Sequence, residues 1–304
     1  MKQDSSSSAH RVELVEVGPR DGLQNEATLL RTADKVELIQ RLINAGSRRI
    51  EIASFVNPAR VPQMADAEAV VAAIPKQSGL CRIGLVLNRK GLDRAIAAGC
   101  DEVGLVAVAS NTFGIKNQGM DIEQSMKSCN ELVPIAKASG LSVQITLSVS
   151  FGCPYEGEVA AEQVFNLARR LAELQPRELA LADTIGVAVP PQVQHLFERI
   201  HAFAPALTLR GHFHNTRNTA LANILAAYDA GVRVFDSSIG GIGGCPFAPK
   251  ASGNVATEDV VYALERSGIQ TGLSLPSLIE TSQWLQGKLN HPLPSAVARA
   301  GAFP

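Results

Sequence analysis

Eight short runs of β-branched and apolar residues alternate with longer stretches of helical periodicity from residue 12 to about residue 268, and no Ser- or Pro-rich linker divides them. The runs fall at 12–17, 49–53, 81–87, 102–108, 142–149, 178–182, 207–214 and 233–237. Helical stretches follow at 33–45, 66–74, 92–98, 122–138, 160–174, 191–203, 219–230 and 257–266. Strand followed by helix, repeated, is the pattern of parallel strands joined by helical crossovers. Eight such units fit a closed (β/α)8 TIM barrel of the α/β class better than an open doubly wound sheet, which normally has fewer strands. Gly46, Gly99, Gly140 and Gly231 each stand just before a strand, where glycine enters the left-handed helix cap at least cost.

The unbroken alternation makes residues 12–304 one domain. Residues 1–11 are polar, without an apolar core or an Arg-rich amphipathic pattern, and are expected to be a disordered lead-in without a targeting role. From about residue 270, Pro276, Pro292 and Pro294 mark a short C-terminal extension of one or two helices. The 28 Lys+Arg against 29 Asp+Glu leave a formal net charge of -1, which gives no global attraction for nucleic acid or an anionic membrane. No apolar run approaches the roughly 20 residues needed to span a bilayer. An anionic ligand must therefore be held locally. Five cysteines, an odd number without a CxxC pair, indicate reduced thiols and a cytoplasmic protein.

In a barrel of this kind the chemistry sits at the C-terminal ends of the strands. The first strand runs into Gly18-Pro19-Arg20-Asp21-Gly22, a cation beside a carboxylate at the mouth of the barrel, with a structural ion pair or turn as the alternative reading. The seventh carries Gly211-His212-Phe213-His214. Residues two apart on a strand share a face, so the two imidazoles converge, a pattern suited to a metal ion. With Asp21 they offer two nitrogens and one carboxylate. After the eighth strand comes Gly240-Gly241-Ile242-Gly243-Gly244-Cys245, then Asn254. The glycines allow close approach to a ligand, whether a cradled phosphate or simple flexibility. Asn254 can give an amide oxygen to a metal, and Cys245 a thiol for proton transfer. Glu51 on the second strand and Asp183 at the end of the sixth add carboxylates near strand ends.

The blocks VGPRDGLQNE at 17–26, IEIASFVNP at 50–58, FGCPYEGE at 151–158, ADTIGVAVP at 182–190, GHFHNT at 211–216 and GGIGGCPFAPKASGNVATED at 240–259 together resemble the 3-hydroxy-3-methylglutaryl-CoA lyases. These belong to the metal-dependent barrel group that includes isopropylmalate and homocitrate synthases. The resemblance implies a TIM barrel that cleaves 3-hydroxy-3-methylglutaryl-CoA to acetyl-CoA and acetoacetate by a retro-Claisen reaction with Mg²⁺ or Mn²⁺. It implies Asp21, His212, His214 and Asn254 as metal ligands and Arg20 and Cys245 as catalytic residues. Glu51 and Asp183 become supporting acids, and Gln24 a residue of the substrate pocket.

The sequence departs from that family where the pocket is expected. Gln144 stands where an arginine is usual, Thr146 where a tyrosine is usual, and Arg217 lies in the segment after the histidines. Gln144, Thr146 and Arg217 are accordingly expected at the pocket mouth, with Arg217 supplying a displaced cation. The same mechanism on another branched 3-hydroxyacyl-CoA, such as citramalyl-CoA, is the alternative. A condensing synthase is disfavoured because the long C-terminal region of those enzymes is missing from this chain, and a metal- or CoA-binding barrel without turnover is the reading of a different class. The partner expected is an acyl-CoA, with no nucleic acid and no membrane; a homo-oligomer is left open.

Overall fold

Every neighbouring pair of strands is parallel, and β1 (Glu13–Glu16) pairs with both β2 (Arg49–Ser54) and β8 (Val234–Ser237), which closes the sheet. Between them run β3 (Cys81–Leu85), β4 (Glu102–Val108), β5 (Ser142–Ser148), β6 (Glu178–Asp183) and β7 (Thr208–Phe213) in sequence order. This computed structural model describes residues 10–244 and 253–303. The helices α1 (Thr32–Asn44), α2 (Ala67–Ala73), α3 (Arg89–Ala98), α4 (Asn111–Gln118), α5 (Ile122–Ala138) and α6 (Ala161–Ala172) follow the first five strands. Then come α7 (Pro190–Phe203), α8 (Ala220–Asp229) and α9 (Thr257–Arg266), and the extension forms α10 (Leu275–Leu289) and α11 (Ala296–Ala300). The expected barrel and helical extension are both present.

Alternation along the strands divides their side chains between two cores. Ile50 and Ile52, Val103 and Leu105, Leu179 and Leu181 are at most 2% exposed and pack outward in one cluster with Leu38, Leu42, Val133, Val164 and Phe197 of the helices. At roughly 1.5–3 kcal/mol for each large apolar side chain buried, this layer is what fastens helices to barrel. Gly99 closes α3 at φ 79°, the backbone region the sequence assigned to it, and Gly46, Gly140 and Gly231 also have positive φ.

Inside the barrel, an apolar cluster of Val15, Val17, Ile83 and Val234 adjoins buried charged residues toward the N-terminal end. Arg49 donates to Glu178 Oε1 and Oε2 at 2.6 and 2.9 Å and to Glu102 Oε1 at 2.7 Å, all three side chains being buried. Satisfied in this way, the ions fill the floor of the barrel. Of the residues expected in the lead-in, His10 and Arg11 are tied to the barrel, since the carbonyl of His10 accepts from Gln270 N at 2.8 Å and Arg11 bridges the same residue; residues 1–9 lie outside the described part.

Candidate metal centre and active site

A five-residue π-helical turn, Gly18–Gly22, follows β1 and carries Arg20 and Asp21 over the open end of the barrel. Gly18 is required there. A Cβ on it would stand 2.7 Å from Glu16 Oε1 and 2.8 Å from Ile239 Cγ2. The turn is held from below by Glu16, whose Oε1 accepts from Gly18 N at 2.8 Å and from Ile239 N at 2.9 Å while Oε2 accepts from the Thr257 hydroxyl at 2.7 Å. One buried carboxylate thus joins the segments that bear Asp21, the glycine run and Asn254. Burial pushes the Glu16 pKa up to about 7.

Asp21, His212 and His214 bring one ligand atom each to within 4.8 Å of one another. Asn254 donates its amide to Asp21 Oδ2 at 2.8 Å, and its Oδ1 is buried with no hydrogen-bond partner, as is His214 Nδ1. Two buried acceptors without a hydrogen-bond partner beside a carboxylate are a costly arrangement, and they fit a cation. Protonation agrees. Burial opposes the charge on Asp21, but Arg20, both imidazoles and the Asn254 amide outweigh it and hold the carboxyl well below its usual range. Burial, aided by His212, lowers His214 to about 4, so that ring is neutral and free to ligate at neutral pH.

The same end of the barrel opens into a cavity of about 1010 Å³. Arg20 enters it with one nitrogen on Asp21 Oδ1 at 2.7 Å and another on Glu51 Oε2 at 2.6 Å, and burial raises the pKa of Glu51. Gln24, Gln144 and Thr146 also line the cavity, and Gln144 Nε2 donates to Thr146 Oγ1 at 2.6 Å.

Neither Asp183, expected as a supporting acid, nor Arg217, expected at the pocket mouth, lines the cavity. Asp183 pairs in register with Phe213, whereas Ala182 pairs with His212, so the Asp183 side chain leaves the face that carries the histidines. Its carboxylate instead accepts from Val187 N and Ala188 N at 2.9 and 3.0 Å and shapes the loop before α7. Arg217 is exposed and donates to the carbonyls of Ile185 and Gly186 at 3.2 and 2.8 Å, away from the cavity lining. Cys245 lies outside the described residues.

Asp236 and Arg210 were not singled out from the sequence. Asp236 Oδ2 is 2.9 Å from His212 Nδ1, which leaves the Nε2 of that ring for a ligand. Although burial disfavours a charge on either group, Asp236 raises the pKa of His212 and Arg210 lowers that of Asp236. The available signal was strand parity, since residue 210 shares the face of 212 and 214.

With this geometry, a model of the HMGL-like family matches residues 11–285. The chain belongs to the HMGL-like family. It is 43% identical over 285 residues to a hydroxymethylglutaryl-CoA lyase of Bacillus subtilis, covering 94% of this chain and 95% of that protein. It is 42% identical over 300 residues to an (R)-citramalyl-CoA lyase of Chloroflexus aurantiacus, covering 95% of each. The solved structure of an HMG-CoA lyase from Acinetobacter baumannii in complex with coenzyme A and 3-methylmalate superposes with a TM-score of 0.92 at 40% identity, covering 97% of this chain and 98% of that one. The HMGL-like fold therefore extends over nearly the whole molecule.

Proposed function

We propose that the protein is a divalent-cation-dependent acyl-CoA lyase that cleaves 3-hydroxy-3-methylglutaryl-CoA to acetyl-CoA and acetoacetate. The observation that carries this reading is the convergence of Asp21, His212, His214 and the unpartnered oxygen of Asn254 beside Arg20 at the head of a large cavity. Exposed Arg60, Arg89, Lys116 and Lys127 line that cavity against the single acid Glu131 among its exposed residues, a charge balance suited to the phosphates of coenzyme A.

Mg²⁺ or Mn²⁺ held by those four side chains would polarise the substrate hydroxyl and make it more acidic. Glu51, one of the carboxylates that line the cavity, is taken as the base that accepts the hydroxyl proton. The electron pair of the breaking C–C bond passes to the thioester side, giving acetoacetate and the enolate of acetyl-CoA. Arg20 stabilises that developing negative charge; its Nε is buried without a partner, and fixed donors aimed at nascent charge are worth several kcal/mol. Cys245 supplies the proton that converts the enolate to the methyl group, an assignment supported by the family resemblance.

A second substrate is favoured by one feature, the short Gln144–Thr146 pair where a bulkier lining is usual. Citramalyl-CoA would undergo the same bond cleavage to acetyl-CoA and pyruvate. Acetyl-CoA release from both thioesters, with Mn²⁺ and after EDTA treatment, tests the proposal. Release that requires metal is expected, and failure of the metal-replete protein to cleave either thioester refutes it.

A further inference from the structure

We propose that Arg210 is a positioning residue that fixes His212 through Asp236 and thereby sets the affinity of the metal centre. The inference rests on the reading of His212 as a ligand. Arg210 lies on β7 two residues before His212, on the same strand face, and is 3% exposed. Its Nε donates to Asp236 Oδ1 at 2.5 Å, a second guanidinium nitrogen reaches the same oxygen, and Asp236 Oδ2 faces His212 Nδ1.

Asp236 is therefore gripped from one side by two donors and bonded to the ring on the other. A carboxylate so held has one orientation, and the imidazole it orients has one tautomer. The third nitrogen of Arg210 is buried without a hydrogen bond, 3.7 Å from Glu178 Oε2. Glu178 is itself held by Arg49, so cation and anion alternate from the barrel floor to the ring of His212. Deprived of the guanidinium, Asp236 would be a buried carboxylate with only the imidazole as partner. A buried charge robbed of its counter-ion is strongly destabilised, and the ring could then be reoriented.

The test is calorimetric binding of Mn²⁺ to chelator-treated protein, with no substrate present, for the wild type, Arg210→Met and Arg210→Lys. For Arg210→Met we expect affinity weaker by roughly 10- to 100-fold, the usual effect of losing the support behind a ligand. Lysine keeps the charge but not the fork of donors, so Arg210→Lys should fall between wild type and Arg210→Met. Once Mn²⁺ is saturating, kcat and the KM of the thioester should both return to within about 3-fold of wild type, because the residue acts on the ligand and not on substrate.

Wild-type affinity in Arg210→Met overturns the proposal. So does a raised KM with unchanged Mn²⁺ affinity, which would make Arg210 a substrate contact. Should Arg210→Met fail to fold, Arg210→Lys decides, and affinity equal to wild type is then the refuting result. A wild type that binds no Mn²⁺ would refute the metal reading and this inference with it, whereas a difference confined to the variants bears on Arg210 alone.

Discussion

Replacing Asn254 with alanine separates what the side chain does for the fold from what it does for the metal. Asn254 donates to Asp21 at 2.8 Å and to the Ile242 carbonyl at 3.3 Å, bonds worth about 1 kcal/mol each, but its buried and unpartnered Oδ1 costs about 1–3 kcal/mol. The two nearly offset, so the Asn254→Ala protein without metal should unfold within about 1 kcal/mol of wild type. With Mn²⁺ at 100 times its Kd the wild type gains about 2.7 kcal/mol by mass action. Loss of one ligand in four, taken as roughly a 10- to 100-fold weaker Kd by analogy with support residues, leaves about 1.4 to 0.4 kcal/mol at the same Mn²⁺ concentration. At about 2 °C per kcal/mol, melting of EDTA-treated protein should rise by about 5 °C on adding Mn²⁺ in the wild type and by about 1–3 °C in the variant. An equal rise in both, or none in the wild type, refutes Asn254 as a ligand.

Arg20→Met and Cys245→Ala should each lower kcat by at least about 10²-fold in thioester-cleavage assays, with the metal content of the protein unchanged; normal turnover by either variant removes that residue from the chemistry. The kcat/KM ratio for hydroxymethylglutaryl-CoA over citramalyl-CoA is expected to stay below about 10²-fold, or about 2.7 kcal/mol at the transition state, and a larger preference would show that Gln144 and Thr146 do not broaden the pocket. Burial pushes Glu258 up to about 8, so the stability it contributes is full below an unfolded pKa near 4.5 and is lost as pH rises through about 8. Glu258→Gln, which is neutral at every pH, should therefore equal wild type in urea unfolding at pH 4.5 and exceed it by about 1–3 kcal/mol at pH 7, and a pH-independent difference would sink the argument.

The strands were legible because in a barrel nearly every strand residue is buried on one face or the other, and the resulting β-branched runs stand out against amphipathic helices. The eight-residue helix α4 was missed since its sequence, Asn111-Thr-Phe-Gly-Ile-Lys-Asn-Gln118, places no apolar stripe on one side. The candidate metal cluster of Asp21, His212 and His214 was legible because the two histidines share a strand face and Asp21 stands in the turn that follows the first strand. Asp183 and Arg217 were read from nearness to a strand end along the chain, which does not by itself put a side chain in the cavity lining. Parity separates Asp183 from Ala182, and the backbone carbonyls of Ile185 and Gly186 hold Arg217 outside. Glu16 could not have been found by motif, since its work is to accept hydrogen bonds from segments more than 200 residues away.

Among the described residues, the buried ions Arg49, Glu102 and Glu178 fill the end of the barrel opposite the cavity. A thioester whose reacting end lies against Asp21 and the histidines must keep its coenzyme A arm in the opening, beneath which the smaller fragment is left after the bond breaks. Release of acetyl-CoA before the keto product is the order expected from this shape, and product-inhibition kinetics check it. The ion pairs that hold the bottom of the barrel together would then also set an order of events at its top.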